Sequence, residues 1–275
     1  MIAMLQRKAE FVFFPLMKSM DLEGWVNIVY FPPNNWEYLD KKPKYLYLIY
    51  PNGTKWKTVF LEKITFNESR LFSTQDFKEI FFDKSLALIY PSPKILDSEL
   101  DFLPNFKTWS TNIPAWRASS GFKNSYAQVS YQSDIEPLPE KGSLLTFHPF
   151  IQFSKLRNYL VVLNAQSNPR IVNHSLLIFN SKSKEFIGKT QIQTNSVTTI
   201  DLDQFGFEST DLPVFVSKSM AAIPFGLGIN LDMNLMSLEH THPPGSFVVR
   251  GDRNKIQKQI KSKWLETLKV DLYEN

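Results

Sequence analysis

A hairpin written into residues 45–61 does most to limit what this chain can fold into. The β-favouring run Tyr45-Leu46-Tyr47-Leu48-Ile49-Tyr50 is followed by Pro51-Asn52-Gly53-Thr54 and then by Lys55-Trp56-Lys57-Thr58-Val59-Phe60-Leu61. Asn-Gly between two such runs suits a type I′ turn, because both residues tolerate positive φ. In the second strand Trp56, Thr58 and Phe60 fall on one face and Lys55 and Lys57 on the other, since side chains alternate along an extended backbone.

Similar short runs recur along the chain. Strands are predicted at 25–30, 86–90, 115–118, 127–131, 144–147, 159–163, 176–179, 197–202, 214–216, 234–238 and 247–250, broken by polar turns such as Asn180-Ser181-Lys182-Ser183-Lys184. Brief strands at this spacing predict a mostly β protein with an antiparallel β-sandwich or jelly-roll-like architecture. Residues 75–82 are expected to make one or two helical turns. The one long helix expected is C-terminal and amphipathic, with Ile256, Ile260, Trp264 and Leu268 recurring every four residues beside Leu265. Asp252 or Asn254 is placed to cap its start.

Two stretches read as linkers, 91–112 with Pro91, Pro93 and Pro104, and 133–141 with Pro137 and Pro139. They suggest an N-terminal β subdomain over 1–110 and a C-terminal β-sandwich with its terminal helix over 111–275. No internal repeat is visible.

The aromatic content, 23 Phe, 10 Tyr and 6 Trp, is enough to fill a core, which excludes a disordered chain. The absence of cysteine excludes disulfides, thiolate metal sites and a cysteine nucleophile. The apolar run Phe11–Phe14, ended by Pro15, is too short for a signal sequence or a membrane span, so a cytoplasmic protein that engages no membrane is expected. From Arg250 to Lys269 there are seven basic and two acidic residues, an excess larger than the +4 of the whole chain. These cations fall on the polar back of the helix, interleaved with Gln and Ser, so a solvated face is expected and no nucleic-acid partner.

The sharpest chemical cluster is Glu239-His240-Thr241-His242-Pro243-Pro244. Residues two apart on an extended backbone point the same way, so His240 and His242 could reach one divalent metal such as zinc, iron or manganese. His148, Glu239 or His174 would supply a third ligand, and His148, like His242, is held extended by the proline after it. An unrelated pair of loop imidazoles is the competing reading. Asp201-Leu202-Asp203 also sets two carboxylates on one face, at the end of a strand where acids commonly meet water. There is no Gly-x-Ser-x-Gly elbow, phosphate-binding glycine loop or His-Glu-x-x-His helix. Phe225-Gly226-Leu227-Gly228 reads as a turn.

Five of the six tryptophans lie within the first 116 residues. Trp36, beside Asn34 and Asn35, and Trp116, beside Arg117, set a flat ring next to polar groups, a pairing suited to stacking on a sugar. A place in the core is the alternative for each ring. The sequence therefore supports a non-catalytic binder of a glycan or other polar small molecule through Trp36, Trp116 and Arg117. The alternative is an enzyme with one metal ion held by His240 and His242, aided by His148 or Glu239. Oligomeric state is not legible.

Overall fold

The computed structural model describes residues 6–7, 11–15, 22–30, 42–81, 86–104, 109–110, 117–148, 155–208, 210–240 and 253–273. The expected strand at 247–250 lies outside them. Residues up to 135 form β1 (Gln6–Arg7), β2 (Phe11–Phe14), β3 (Glu23–Tyr30), β4 (Lys44–Asn52), β5 (Lys55–Ile64) and β6 (Glu68–Ser73). A 3₁₀ turn and the one-turn helix α1 (Lys78–Phe81) follow, then β7 (Ala87–Ser92), β8 (Glu99–Leu100), β9 (Trp109–Ser110), β10 (Arg117–Lys123), β11 (Gln128–Gln132) and β12 (Asp134–Ile135). The rest forms β13 (Leu144–Phe147), β14 (Arg157–Asn164), β15 (Asn173–Asn180), β16 (Phe186–Gln193), β17 (Ser196–Asp201), β18 (Pro213–Ser217), β19 (Ile223–Ile229), β20 (Met236–His240) and α2 (Arg253–Thr267).

Every ladder among these strands is antiparallel. Apart from the small β1-β9 pair they form four sheets. In the order of their layers these are sheet 1, β11-β10-β3-β6; sheet 2, β12-β2-β7-β4-β5-β8; sheet 3, β17-β14-β19-β20; and sheet 4, β13-β18-β15-β16. The mostly β, antiparallel, sandwich-like architecture with a C-terminal helix is thus as the sequence led one to expect. Strand pairing sets β10, β11 and β12 in sheets 1 and 2 beside strands that precede residue 31.

The apolar clusters define the layering. Val12, Leu48 and Ile89 of sheet 2 face Val26, Ile28 and Tyr30 of sheet 1. Leu160, Val162 and Ile200 of sheet 3 face Leu176, Ile178 and Phe215 of sheet 4. Between the two pairs runs a third seam, with Phe11, Phe13, Ile49 and Leu88 of sheet 2 against Tyr159, Val161, Leu163 and Phe225 of sheet 3. Sheets 2 and 3 are therefore buried on both faces. For this reason β2, β7 and most of β14 are buried without interruption, where a half-exposed strand would alternate. On the far side of sheet 4, Leu177, Phe179, Val214 and Val216 are covered by Trp264, Leu265 and Leu268 of the helical segment and by Val270 and Tyr273 beyond it.

Several local expectations are corrected. The hairpin closes on the pair Asn52 and Lys55, so Gly53 and Thr54 are the central residues, and only Gly53 of the turn has positive φ, +66°. That is the pattern of a type II′ turn, not I′. Residues 225–228 are not a turn but the middle of β19. Their glycines answer to close approach: a Cβ on Gly226 would lie 2.8 Å from the His148 ring, and one on Gly228 2.8 Å from Leu156 Cδ1. Phe60 does not share the burial of its strand-mates, for Trp56 is 0% exposed, Thr58 7% and Phe60 54%. Ile260 of the helix stripe is also exposed, so the helix seats through its C-terminal end. Among the described residues no helix is long and apolar enough to cross a membrane.

Candidate functional site

The outer face of sheet 4 has a cleft of about 360 Å³ where β15 begins and β18 ends. Leu177 and Val216, paired across the two strands, form its floor. Asn173, His174 and Ser175 come from β15, and Lys218 and Ser219 from the chain just past β18. The location follows from the folding pattern. β15 is apolar from Leu176 onward and polar at its first three residues, so its polar start emerges where the buried stretch ends. β18, buried throughout, gives way to the polar segment Lys218-Ser219.

Hydrogen bonds set the side chains. His174 Nδ1 lies 2.9 Å from Ser219 Oγ, which ties the two strands at the mouth of the cleft. Gln193 Nε2, on β16, donates to Asn173 Oδ1 at 2.8 Å and fixes that amide. Lys218 Nζ makes an ion pair with Asp271. Asp271 belongs to the 3₁₀ turn 270–273, entered through Lys269 with φ +51°. The turn is anchored by buried Val270 and by Tyr273, stacked on Phe186 at 4.2 Å and 9°. The Asp271 side chain itself is 86% exposed. Such an exposed pair contributes about 0–1 kcal/mol, little enough for a competing anion to replace it.

A serine against a histidine is also the beginning of a nucleophile and its base. Catalysis of that kind further needs a group orienting the imidazole and donors for an oxyanion. Among the described residues His174 makes no ion pair with a carboxylate. The arrangement is suited to holding a polar molecule over an apolar floor.

The residues singled out from sequence fall elsewhere. His148 follows β13, its backbone N–H donating to Pro213 O at 3.1 Å, and its ring lies against Gly226 between sheets 3 and 4. It is 4% exposed, and neither ring nitrogen meets a hydrogen-bond partner among the described residues. Burial pushes the imidazole down to about 4, the nearby Tyr159 backbone offsetting this only in part. Glu239 is exposed and sits opposite Gly226 in the β19-β20 ladder, while His240 is opposite Phe225. His242 lies outside the described residues, as do Trp36 and Trp116. Arg117 pairs through its backbone with Val29. No three His, Cys, Asp or Glu side chains among the described residues are grouped to hold a metal. Asp201 and Asp203 both face Arg157, at 2.5 Å and 3.8 Å, which neutralises the pair. Trp25 and Trp56 are core residues, and Trp56 Nε1 donates to Ser167 O at 2.8 Å.

Of the cleft residues, sequence reasoning reached only His174, as an optional third metal ligand. Asn173, Lys218 and Ser219 carried no motif, because residues 173–175 and 218–219 meet only through the pairing of β15 with β18. Comparison with protein-family models, with curated proteins and with solved structures finds no match to this chain.

Proposed function

We propose that this is a non-catalytic binding protein that takes a small polar molecule in the cleft between β15 and β18. The observation that carries the reading is the convergence of Asn173, His174, Ser175, Lys218 and Ser219 over the apolar floor of Leu177 and Val216. Small-molecule sites commonly combine a concave apolar surface with a few placed polar groups. A glycan or another polyhydroxylated molecule suits the hydroxyls and the amide, and an acidic small molecule suits Lys218.

The imidazole resonances of His174 report on occupancy directly. The protein is titrated with maltose, citrate and inorganic phosphate, and the wild type is compared with Ser219→Ala and with a Trp36→Ala/Trp116→Ala variant. The reading predicts that at least one probe shifts His174, that Ser219→Ala weakens this, and that the tryptophan variant retains it. If no probe moves His174, or if the tryptophan variant alone loses binding, the cleft is not the site.

A further inference from the structure

We infer that the cleft selects an anion, a small molecule bearing a carboxylate or phosphate group, and that Asp271 occupies the anion's place on Lys218 when the cleft is empty. This rests on the cleft being the binding site. Its lining contains one cation, Lys218, and no aspartate or glutamate. Ser175, Ser219 and Asn173 add hydroxyl and amide groups, and a hydroxyl or amide N–H can donate to an anionic oxygen. The one carboxylate that meets Lys218 comes from outside the walls, from the turn 270–273 that follows α2.

That turn behaves as a tethered competitor. Val270 and Tyr273 seat it on sheet 4, which holds the Asp271 carboxylate at high local concentration beside Lys218. Yet the Asp271 side chain is largely in water, and its hydrogen-bond contact in the structure is with Lys218 alone. An arriving carboxylate or phosphate would gain Lys218 together with the hydroxyls of the cleft, whereas Asp271 gains Lys218 only. The exchange is a substitution of one anion for another, so cleft occupancy and release of Asp271 are coupled.

The test uses the full chain, with His174 resonances as the readout and citrate, inorganic phosphate and neutral maltose as probes at low ionic strength. Citrate and phosphate separate carboxylate from phosphate preference. At least one anion is expected to bind more tightly than maltose, Asp271→Asn to tighten it about threefold to tenfold, and Lys218→Gln to weaken it at least about tenfold. Both substitutions lie at exposed side chains, and unchanged far-ultraviolet circular dichroism verifies folding. Binding of maltose with no binding of either anion overturns the inference and leaves the cleft as a binding site. Silence from all three probes overturns both. An anion that binds Asp271→Asn no more tightly than the wild type, or Lys218→Gln as tightly, overturns the competition.

Discussion

The seam between sheets 2 and 3 and the outer face of sheet 4 solve the same problem differently. Both present rows of large apolar side chains that have to be covered. At the seam each sheet covers the other, and rings interlock across it: Phe13 lies 5.5 Å from Phe225, and Tyr131 4.8 Å from Phe225. On sheet 4 the cover is a helix end and a short turn, through Trp264, Leu268, Val270 and Tyr273. A sheet seals a sheet along its length, whereas a helical segment covers a narrower strip. Beside that strip, where β15 turns polar, the cleft opens. The difference teaches that the candidate site lies where cover by a continuous partner gives out.

Perturbations should rank by which of the two regions they strike. Trp56→Ala empties a fully buried position at the seam and removes the bond to Ser167, so a loss of about 3–5 kcal/mol is expected in urea unfolding. A loss below about 1 kcal/mol would mean that the seam contributes little. His148, inside the second sheet pair, gives a pH signature next in size. The unfolded imidazole takes up its proton near its ordinary value of 6.5, and the folded one only at about 4. Stability is therefore complete above pH 6.5 and falls by about 3 kcal/mol as the pH drops to 4. His148→Leu should remove that slope in denaturant melts taken across the window, and an unchanged slope would refute the burial. Gly226→Ala drives a methyl into the same ring and should cost about 1–3 kcal/mol, measured by thermal unfolding. The outer face should yield less. Trp264 is half-buried, edge-on to Phe147 at 5.1 Å and under Lys184 at 3.9 Å, so Trp264→Ala is expected to cost about 1–2 kcal/mol. If it matched Trp56→Ala, the two regions would not differ in the way described.

The sequence announced the features that depend on neighbours along the chain. The hairpin at 45–61, the short helical turns near 75–82 and the terminal helix all follow from local alternation, turn residues or four-residue spacing. What it concealed depends on partners far away. Phe11–Phe14 read as a mere apolar run because a strand buried on both faces has no alternation to see. Residues 225–228 read as a turn because the rings and methyls that demand Gly226 and Gly228 come from His148 and Leu156. The exposure of Phe60 follows from where the opposing sheet ends, which no residue in its own strand records. The cleft was legible only as a polar triplet before an apolar run at 173–175, and its other wall sits more than forty residues away. The histidine pair at 240 and 242 stood out because its spacing is local, the property that the cleft lacks.

Amide hydrogen exchange followed by mass spectrometry tests the central claim, that four sheets share one continuous core covered more firmly at the seam than on the outer face. The account predicts that β2, β7, β14 and β19, two from each half of the chain, form a common slowest-exchanging set, with α2 and the start of β15 exchanging well before them. A slowest set confined to one half, or α2 as protected as the seam strands, would contradict it.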